Sequence, residues 1–585
     1  MEITSSIHTI FKENIVQNNA SASDYFSAIK QLVSQRNESG SSEEQRMWQD
    51  AIDQVYELLS EEIITNKNLP VSTVKFGTSG WRGLLGKDIN IYSVSCVTAA
   101  IVSLYRDMDR KPGLQDALGV SSFEEMQERG CVIGFDNRFG GDLLALSAMN
   151  VMAANNIKMY YAGEATTGTL SASVLELQTA FSINLTPSHN PLEYGGYKYN
   201  AADAGPAAQV LTDRITSEAN RILTERSSEF LPDGIDLQSP MENISGLVQE
   251  NALASWQNLV RTNEPKHKVD YDSIITDFAT NPDVIVAVDC VHGAARVNIQ
   301  DFFKNMESDR LIILRGNKDV TFGGIAPEPS SANMEPATTA LRNRDEKFKL
   351  GAIIDPDGDR IRFTDGTNEI SMNQFGAMAY HFLHEIKQQK GMVAKTVATS
   401  NLANAIAQEL HEEVYEPKVG FKEFKPVIGK ALVYFEESDG ISIIGHTPEK
   451  DAYIGLLLAL DMVQTLQKNL GEYLELIENT FGTYFPDRDG VVVSQQGDEL
   501  KRTLALLEQY TPGVTVKVGA QEKIIKEVID IDGRKMIFKD NSWVMIRPSG
   551  TEPKVRFYVE GRNQMETADL VKTAKSMLAE IGLLA

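Results

Sequence analysis

LGAIIDPDGDR, residues 350–360, sets an aliphatic run directly before three carboxylates on a tight turn. A continuous run with no polar alternation reads as a strand buried on both faces, the kind found in parallel sheets. Asp355, Asp357 and Asp359 follow at i, i+2 and i+4 around Gly358, and Arg360 closes the turn. Ligands of α/β sheets gather at the carboxyl ends of strands. Oxygen-only donors in this pattern suit a hard cation such as Mg²⁺. A twelve-residue calcium loop does not fit, because its Gly and terminal Glu are out of place. The other reading of this segment taken alone is an acidic surface turn.

The same texture recurs on either side. CVIGF (131–135), AFSINL (180–185), VIVAVD (284–289), LIIL (311–314), TVATS (396–400) and ALVYF (431–435) are short apolar runs between helical patterns. They predict parallel strands in at least three rounds, around 131–200, 284–360 and 396–460, and so repeated α/β domains. After about residue 485 the runs VVVSQQ, VTVKV, KMIFKD and WVMIRP come closer to antiparallel alternation, and an amphipathic helix follows from about Met565 to Ile581. That tail predicts a separate α+β domain. Residues 1–70 carry two helical stripes, Tyr25–Val33 and Trp48–Leu59, separated by the polar run Asn37–Ser42 and closed by Pro70. They predict a helical pair packed on the body or on a second subunit.

With 585 residues, the chain is long enough for about three to five domains. Hydrophobic residues at 42% and charged residues at 23% are ordinary for globular proteins. A formal net charge of -25 opposes non-specific nucleic-acid binding and adsorption to anionic membranes. An anionic substrate stays open, because local Lys and Arg clusters override the global field. Cys96, Cys131 and Cys290 are too few and scattered for a disulfide framework or a structural zinc site. The start, MEITSSIHTIFKENIVQ, shows no basic stretch ahead of an apolar core, and IGLLLALDMV from Ile454 is too short to span a bilayer. A soluble, cytoplasmic protein is expected.

Four further loops carry chemistry. Thr186-Pro187-Ser188-His189-Asn190-Pro191 follows the strand AFSINL and presents a serine between two prolines, which suits a nucleophile or phosphoryl carrier. Lys198 lies just beyond, in GGYKYN. A turn is the alternative for this segment alone. Lys75–Gly83, KFGTSGWRG, gathers Thr78, Ser79 and Arg82 in a Gly-rich loop without the Walker ending. Arg547, Ser549, Gly550 and Thr551 in RPSGTEPK combine a guanidinium, hydroxyls and exposed amides, a cradle for phosphate or a charged hairpin turn. Glu436 and Ser438 in FEESDG, with Lys450 in GHTPEKD, offer partners for sugar hydroxyls.

Taken together, in this order, the loops TPSHNP, DPDGDR, FEESDG and RPSGTEPK resemble those of the α-D-phosphohexomutase family, the phosphoglucomutases and phosphomannomutases. The resemblance runs from about Val71 to the C-terminus. It implies three related α/β domains with mixed sheets and a C-terminal α+β domain around a central cleft. The divisions expected are a helical extension over 1–70, then 71–252, 253–366, 367–484 and 485–585. It implies that Ser188 is phosphorylated in the active enzyme and binds Mg²⁺ together with Asp355, Asp357 and Asp359. Arg82, His189 and Lys198 match its cationic and acid/base positions. Glu436, Ser438 and Lys450 match the sugar loop, with Gly420 and Lys422 in the preceding VGFK. Arg547, Ser549, Gly550 and Thr551 match the loop for the non-reacting phosphate.

The activity implied is interconversion of α-D-glucose 1-phosphate and glucose 6-phosphate through glucose 1,6-bisphosphate, by a monomer or homodimer. PSHNP followed by GGYKYN and GPA is most like the bacterial phosphoglucomutases, whereas GHTPEKD resembles members acting on both glucose and mannose phosphates. A non-catalytic sugar-phosphate-binding regulator would show damage at Ser188 or the aspartates, and the sequence shows none. The chain departs from the family pattern at Phe435 and Asp439, which flank the sugar loop, at Ala452 in place of Gly, and at Lys418 in place of Thr.

Overall fold

The computed structural model describes residues 2–16, 19, 22–77, 79–108, 113–549 and 554–584. Three times along these residues the chain builds the same four-stranded unit. The first strand is central, the second pairs with it in parallel on one side, and the third in parallel on the other. The fourth then returns antiparallel beside the third. Unit one is Cys131–Phe135, Met159–Glu164, Phe181–Leu185 and Tyr194–Ala201. Unit two is Val284–Asp289, Leu311–Leu314, Phe348–Ile354 and Ile361–Thr364. Unit three is Val393–Lys395, Val414–Tyr415, Val433–Glu436 and Gly440–Ile443.

Every residue of Cys131–Phe135, Phe181–Leu185 and Val284–Asp289 is buried, as expected of strands covered by helices on both faces. Two short strands, Phe76–Gly77 and Gly80–Leu84, extend the first sheet beyond Tyr194–Ala201, and Leu247–Gln249 closes its other edge. Three signature loops thereby fall at one equivalent place, the turn from third to fourth strand. These are residues 186–193, 355–360 and 437–439.

The C-terminal domain is a six-stranded antiparallel sheet in the order Phe485–Val492, Lys554–Gly561, Trp543–Pro548, Arg534–Phe538, Gln521–Ile529, Thr515–Val518. The helix Gln564–Glu580 packs on it and buries Leu570, Ala574, Met577 and Leu578. The expected α+β tail is present, with Gln521–Ile529 as a strand that the sequence reading passed over.

The N-terminal segment holds Tyr25–Glu38 and Ser42–Thr65 as expected, preceded by a further helix, Glu2–Asn14. Asp24 and Ser41 cap the two expected helices by accepting backbone N–H groups of Ser27 and Glu44, the usual role of these residue types. Their stripes of Ile29, Leu32, Trp48, Ile52, Val55 and Leu59 join the core of unit one. The segment therefore packs on the body of its own chain.

Two expected strands are corrected. VVVSQQ (491–496) is strand only in its first two residues, the end of Phe485–Val492. TVATS (396–400) is a turn, and the strand is Val393–Lys395 before it. Val397 and Ala398 are buried against Trp543, Met545 and Tyr558 of the C-terminal sheet. Their apolar character comes from that contact and not from a sheet. Among the described residues no helix is long and apolar enough to cross a membrane.

Candidate active site

Ser188 stands on the first of the three equivalent turns. Its backbone is left-handed, with φ 59°, uncommon for a residue with a side chain. Its N–H donates to Thr186 Oγ1 at 2.8 Å, and that hydroxyl donates to Asp136 Oδ2 at 2.7 Å. The turn lies directly on the neighbouring strand. A Cβ at Gly196 would stand 2.3 Å from the Thr186 carbonyl oxygen and 2.7 Å from Pro187 Cα, so only glycine admits this approach.

From there Ser188 Oγ donates to Asp355 Oδ2 at 3.0 Å and lies 3.3 Å from His189 Nδ1. The first and second turns thus meet, although they lie 167 residues apart.

Asp355, Asp357 and Asp359 are buried, and each offers one oxygen within 4.8 Å of the others. The second turn is folded on its own carboxylate, since Asp355 Oδ1 accepts the N–H groups of Asp359 and Arg360 at 3.1 and 3.0 Å. Lys198 Nζ donates to Asp357 Oδ2 at 2.5 Å and to Asp359 Oδ2 at 2.8 Å. The other oxygens of these two, Asp357 Oδ1 and Asp359 Oδ1, are buried with no hydrogen-bond partner. A buried carboxylate oxygen without a donor is costly, and a divalent cation is the partner this all-oxygen set fits.

The charge balance agrees. Burial, then the charges of Asp357 and Asp359, push the Asp355 carboxyl well above the usual range. At Asp359 burial is outweighed by Lys198, Lys450 and Arg360, which hold it well below that range. At Lys198 burial is outweighed by Asp357, Asp359 and Glu449, so its ammonium stays charged. Burial, then the charges of Arg360 and Arg82, lower the His189 pKa well below its ordinary value, leaving a neutral imidazole beside Ser188.

The third turn joins through Lys450, whose Nζ lies 3.2 Å from Asp359 Oδ2 and 3.5 Å from Glu436 Oε1. Ser438 Oγ donates to Glu436 Oε1 at 2.7 Å. Ser79 lines a small cavity with Lys198, Asn200 and Glu449, and Arg82 sits on the strand Gly80–Leu84 opposite Gly196. The structure therefore brings together Ser188, His189, Lys198, Arg82, the three aspartates, Arg360, Lys450, Glu436 and Ser438.

Lys422 and Arg547 make their contacts elsewhere. Lys422 follows Gly420 on the short helix Phe421–Val427 and donates to Gln209 Oε1 at 2.7 Å. Arg547 is paired with Asp532 at 3.0 Å. Ser549 donates its N–H to Lys554 O at 2.8 Å across the hairpin. Thr78, Gly550 and Thr551 lie outside the described residues.

One site residue, Thr167, escaped the sequence reading, and a second, Glu449, lay within the GHTPEKD loop without being singled out. Thr167 donates its hydroxyl to Asp357 Oδ2 at 3.0 Å, and its N–H to the Asp357 carbonyl at 2.7 Å. Glu449 accepts from Asn200 and lies beside Lys198. The signal for Thr167 was present in ATTGTL (165–170), a Thr/Gly loop straight after the strand Met159–Glu164.

Three repeated units that converge their equivalent turns on a buried serine, an acidic metal cradle and a ring of cations define a mutase that moves phosphoryl groups on sugars. The family models for phosphoglucomutase/phosphomannomutase alpha/beta/alpha domains I, II and III match residues 73–226, 265–368 and 371–480, and that for the C-terminal domain matches residues 512–575. The chain belongs to the phosphoglucomutase/phosphomannomutase family.

A phosphoglucomutase of Staphylococcus haemolyticus is 26% identical, covering 83% of this chain and 89% of its own. A phosphoglucosamine/phosphogalactosamine mutase of Sulfurisphaera tokodaii is 22% identical, covering 86% and 98%. Among solved structures, the exocytosis-sensitive phosphoprotein parafusin, a phosphoglucomutase of Paramecium, shares the fold in its open form. Its TM-score is 0.65 at 19% identity, with 88% and 96% of the chains covered.

Proposed function

We propose that the protein interconverts α-D-glucose 1-phosphate and glucose 6-phosphate through a phosphorylated Ser188 and a glucose 1,6-bisphosphate intermediate. The observation that carries this reading is Ser188 Oγ 3.0 Å from Asp355, beside two buried carboxylate oxygens that accept no hydrogen bond. Asp355, Asp357 and Asp359 would hold Mg²⁺ there with the phosphoserine. That ion would supply charge neutralisation for the transferring phosphoryl group.

The chain's own residues supply the rest. Lys198 keeps Asp357 and Asp359 in place and adds a fixed positive charge to the site. His189, held neutral, offers Nδ1 to the proton at Ser188 Oγ. Arg360, Arg82 and Lys450 extend the positive field from the serine towards the sugar loop, where Glu436 and Ser438 present a carboxylate and a hydroxyl to sugar hydroxyls. Arg547 and Ser549 belong to the loop that takes the non-reacting phosphate. The intermediate must bind in two orientations, and a terminal domain that opens and closes would allow both.

A second reading, a mutase of glucosamine phosphates, is favoured by the Sulfurisphaera tokodaii relative, whose name specifies amino sugars. Dual action on glucose and mannose phosphates is the third.

The test is Mg²⁺-dependent conversion of glucose 1-phosphate, mannose 1-phosphate and glucosamine 1-phosphate, primed with glucose 1,6-bisphosphate, for the wild type and Ser188→Ala. Glucose 1-phosphate should turn over fastest, and the Ser188→Ala variant should lose all three conversions. A faster rate on another sugar would move the assignment to it. No turnover of any would favour the non-catalytic regulator.

A further inference from the structure

The loop that carries Ser188 is held from behind by a buried arginine with no place in the reaction described above. Arg138 follows the central strand Cys131–Phe135 by three residues, and its side chain is 5% exposed. Nη2 donates to the Ser188 carbonyl at 2.8 Å and also to the Asn190 carbonyl. Nη1 donates to the carbonyls of Pro191 at 2.8 Å and Tyr194 at 3.3 Å. One guanidinium thus spans the whole turn from third to fourth strand, a use for which its rigid planar fork is suited and an ammonium is not.

Its Nε lies 3.5 Å from Asp136 Oδ2, the oxygen that takes the Thr186 hydroxyl, which in turn takes the Ser188 N–H. Both peptide groups of Ser188 are therefore tied to one ion pair, the N–H through Thr186 to Asp136 and the carbonyl to Arg138. Those two groups set the backbone angles of the residue, and Ser188 is the one held at φ 59°.

The back of the guanidinium is closed. The Phe322 ring lies 5.1 Å from it, and Asn137 Nδ2 donates to the Asp319 carbonyl at 2.8 Å. Asp319 is in turn paired with Arg36 of the N-terminal segment at 3.4 Å. The bond to the Ser188 carbonyl is buried, so water does not compete for it as it would at the surface.

We infer that Arg138, paired with Asp136, is a positioning residue for the phosphoryl carrier: by gripping the carbonyls of residues 188–194 it holds Ser188 in the left-handed conformation that aims Oγ at the metal-binding aspartates. The inference rests on the reading of Ser188 as that carrier. The step it serves is phosphoryl uptake from glucose 1,6-bisphosphate. An Oγ–P bond forms at Ser188, a sugar O–P bond breaks, and the serine proton ends on the departing sugar oxygen. Such a transfer depends steeply on alignment, so misplacing Oγ lowers the rate and leaves sugar binding intact.

The experiment compares wild type, Arg138→Met, Arg138→Lys, Thr186→Val and Ser188→Ala. It measures phosphoryl uptake from glucose 1,6-bisphosphate by intact mass, kcat and KM for glucose 1-phosphate, and the melting temperature. In Arg138→Met, uptake and kcat should fall together by about 100-fold with KM within about twofold. Arg138→Lys should recover part of the loss. Thr186→Val, which cuts the tether on the N–H side at nearly constant volume, should lose about 10-fold and carries the test if Arg138→Met does not fold. Unchanged uptake in the folded arginine variant, or a raised KM with kcat retained, overturns the inference. Uptake persisting in Ser188→Ala instead overturns the carrier reading, and the inference with it.

Discussion

Asp357 divides its carboxylate, with Oδ2 given to Lys198 and Thr167 and Oδ1 left without a partner. Asp357→Asn keeps the shape, removes the charge and turns one oxygen into a donor aimed at the cation. The expected result is a fall in kcat of about 10²–10³-fold, and a melting temperature that Mg²⁺ does not raise, where the wild type is expected to show a rise. Kinetics and thermal melts across a Mg²⁺ titration check both.

Asp439 answers differently. It stands where the family resemblance implies Gly or a small residue, at φ 70°, and its carboxylate pairs with Arg362 at 2.9 and 3.1 Å. Asp439→Gly relieves a backbone strain of roughly 1 kcal/mol but leaves Arg362, itself mostly buried, with only Glu369 at 2.9 Å. A net loss of about 2 kcal/mol is expected by denaturant unfolding; a gain would show that the pair contributes nothing. At this scale Ser188 and the aspartates were legible because each motif gathers its chemistry within a few consecutive residues. Arg138 was not, since the carbonyls it grips begin 50 residues away and a lone Arg after a strand reads as surface charge.

Elements were legible where burial alone shaped them. VIVAVD and CVIGF are strands with the expected bounds, because in-sheet residues covered on both faces have no polar alternative. TVATS misled because Val397 and Ala398 are buried by another domain; the residue types report burial, not the partner. The helix Glu2–Asn14 was passed over because its stripe of Ile3, Ile7 and Phe11 is only partly buried, at the rim of the core.

The N-terminal helices are testable as a brace. Tyr56 is buried, and its ring lies 4.4 Å from that of Phe139, next to Arg138 in sequence. Tyr56→Ala should cost about 3–5 kcal/mol of stability and slow phosphoryl uptake by Ser188, whereas Tyr56→Phe should keep both to within about 1 kcal/mol and twofold. Unfolding and intact-mass time courses on the pair of variants decide it. Equal uptake in both would confine the helices to stability.

Across the whole molecule, three copies of one unit place three turns around a point, and the fourth domain is attached by a buried polar cluster. Lys535, on the strand Arg534–Phe538, donates to the Val397 carbonyl at 2.8 Å and lies 3.3 Å from Glu416, which also holds Lys395 at 3.0 Å. The Trp543 ring covers the Lys535 ammonium at 4.1 Å, and Trp543 Nε1 donates to Glu560, which also accepts the Asn401 N–H. Burial, then the charge of Lys395, lower Lys535 to about 8 against the pull of Glu416 and Glu560. An unfolded lysine titrates near 10.4. Between those values the unfolded chain binds a proton that the folded chain has released, so this group adds stability as pH rises through the window. Lys535→Met has no such proton to release. The stability of the wild type relative to Lys535→Met should therefore increase by about 2 kcal/mol between pH 8 and pH 9.5. Thermal unfolding of the two proteins at both pH values measures it. A difference that stays constant would mean that Lys535 remains charged in the junction, with Glu416 and the Trp543 ring outweighing its burial.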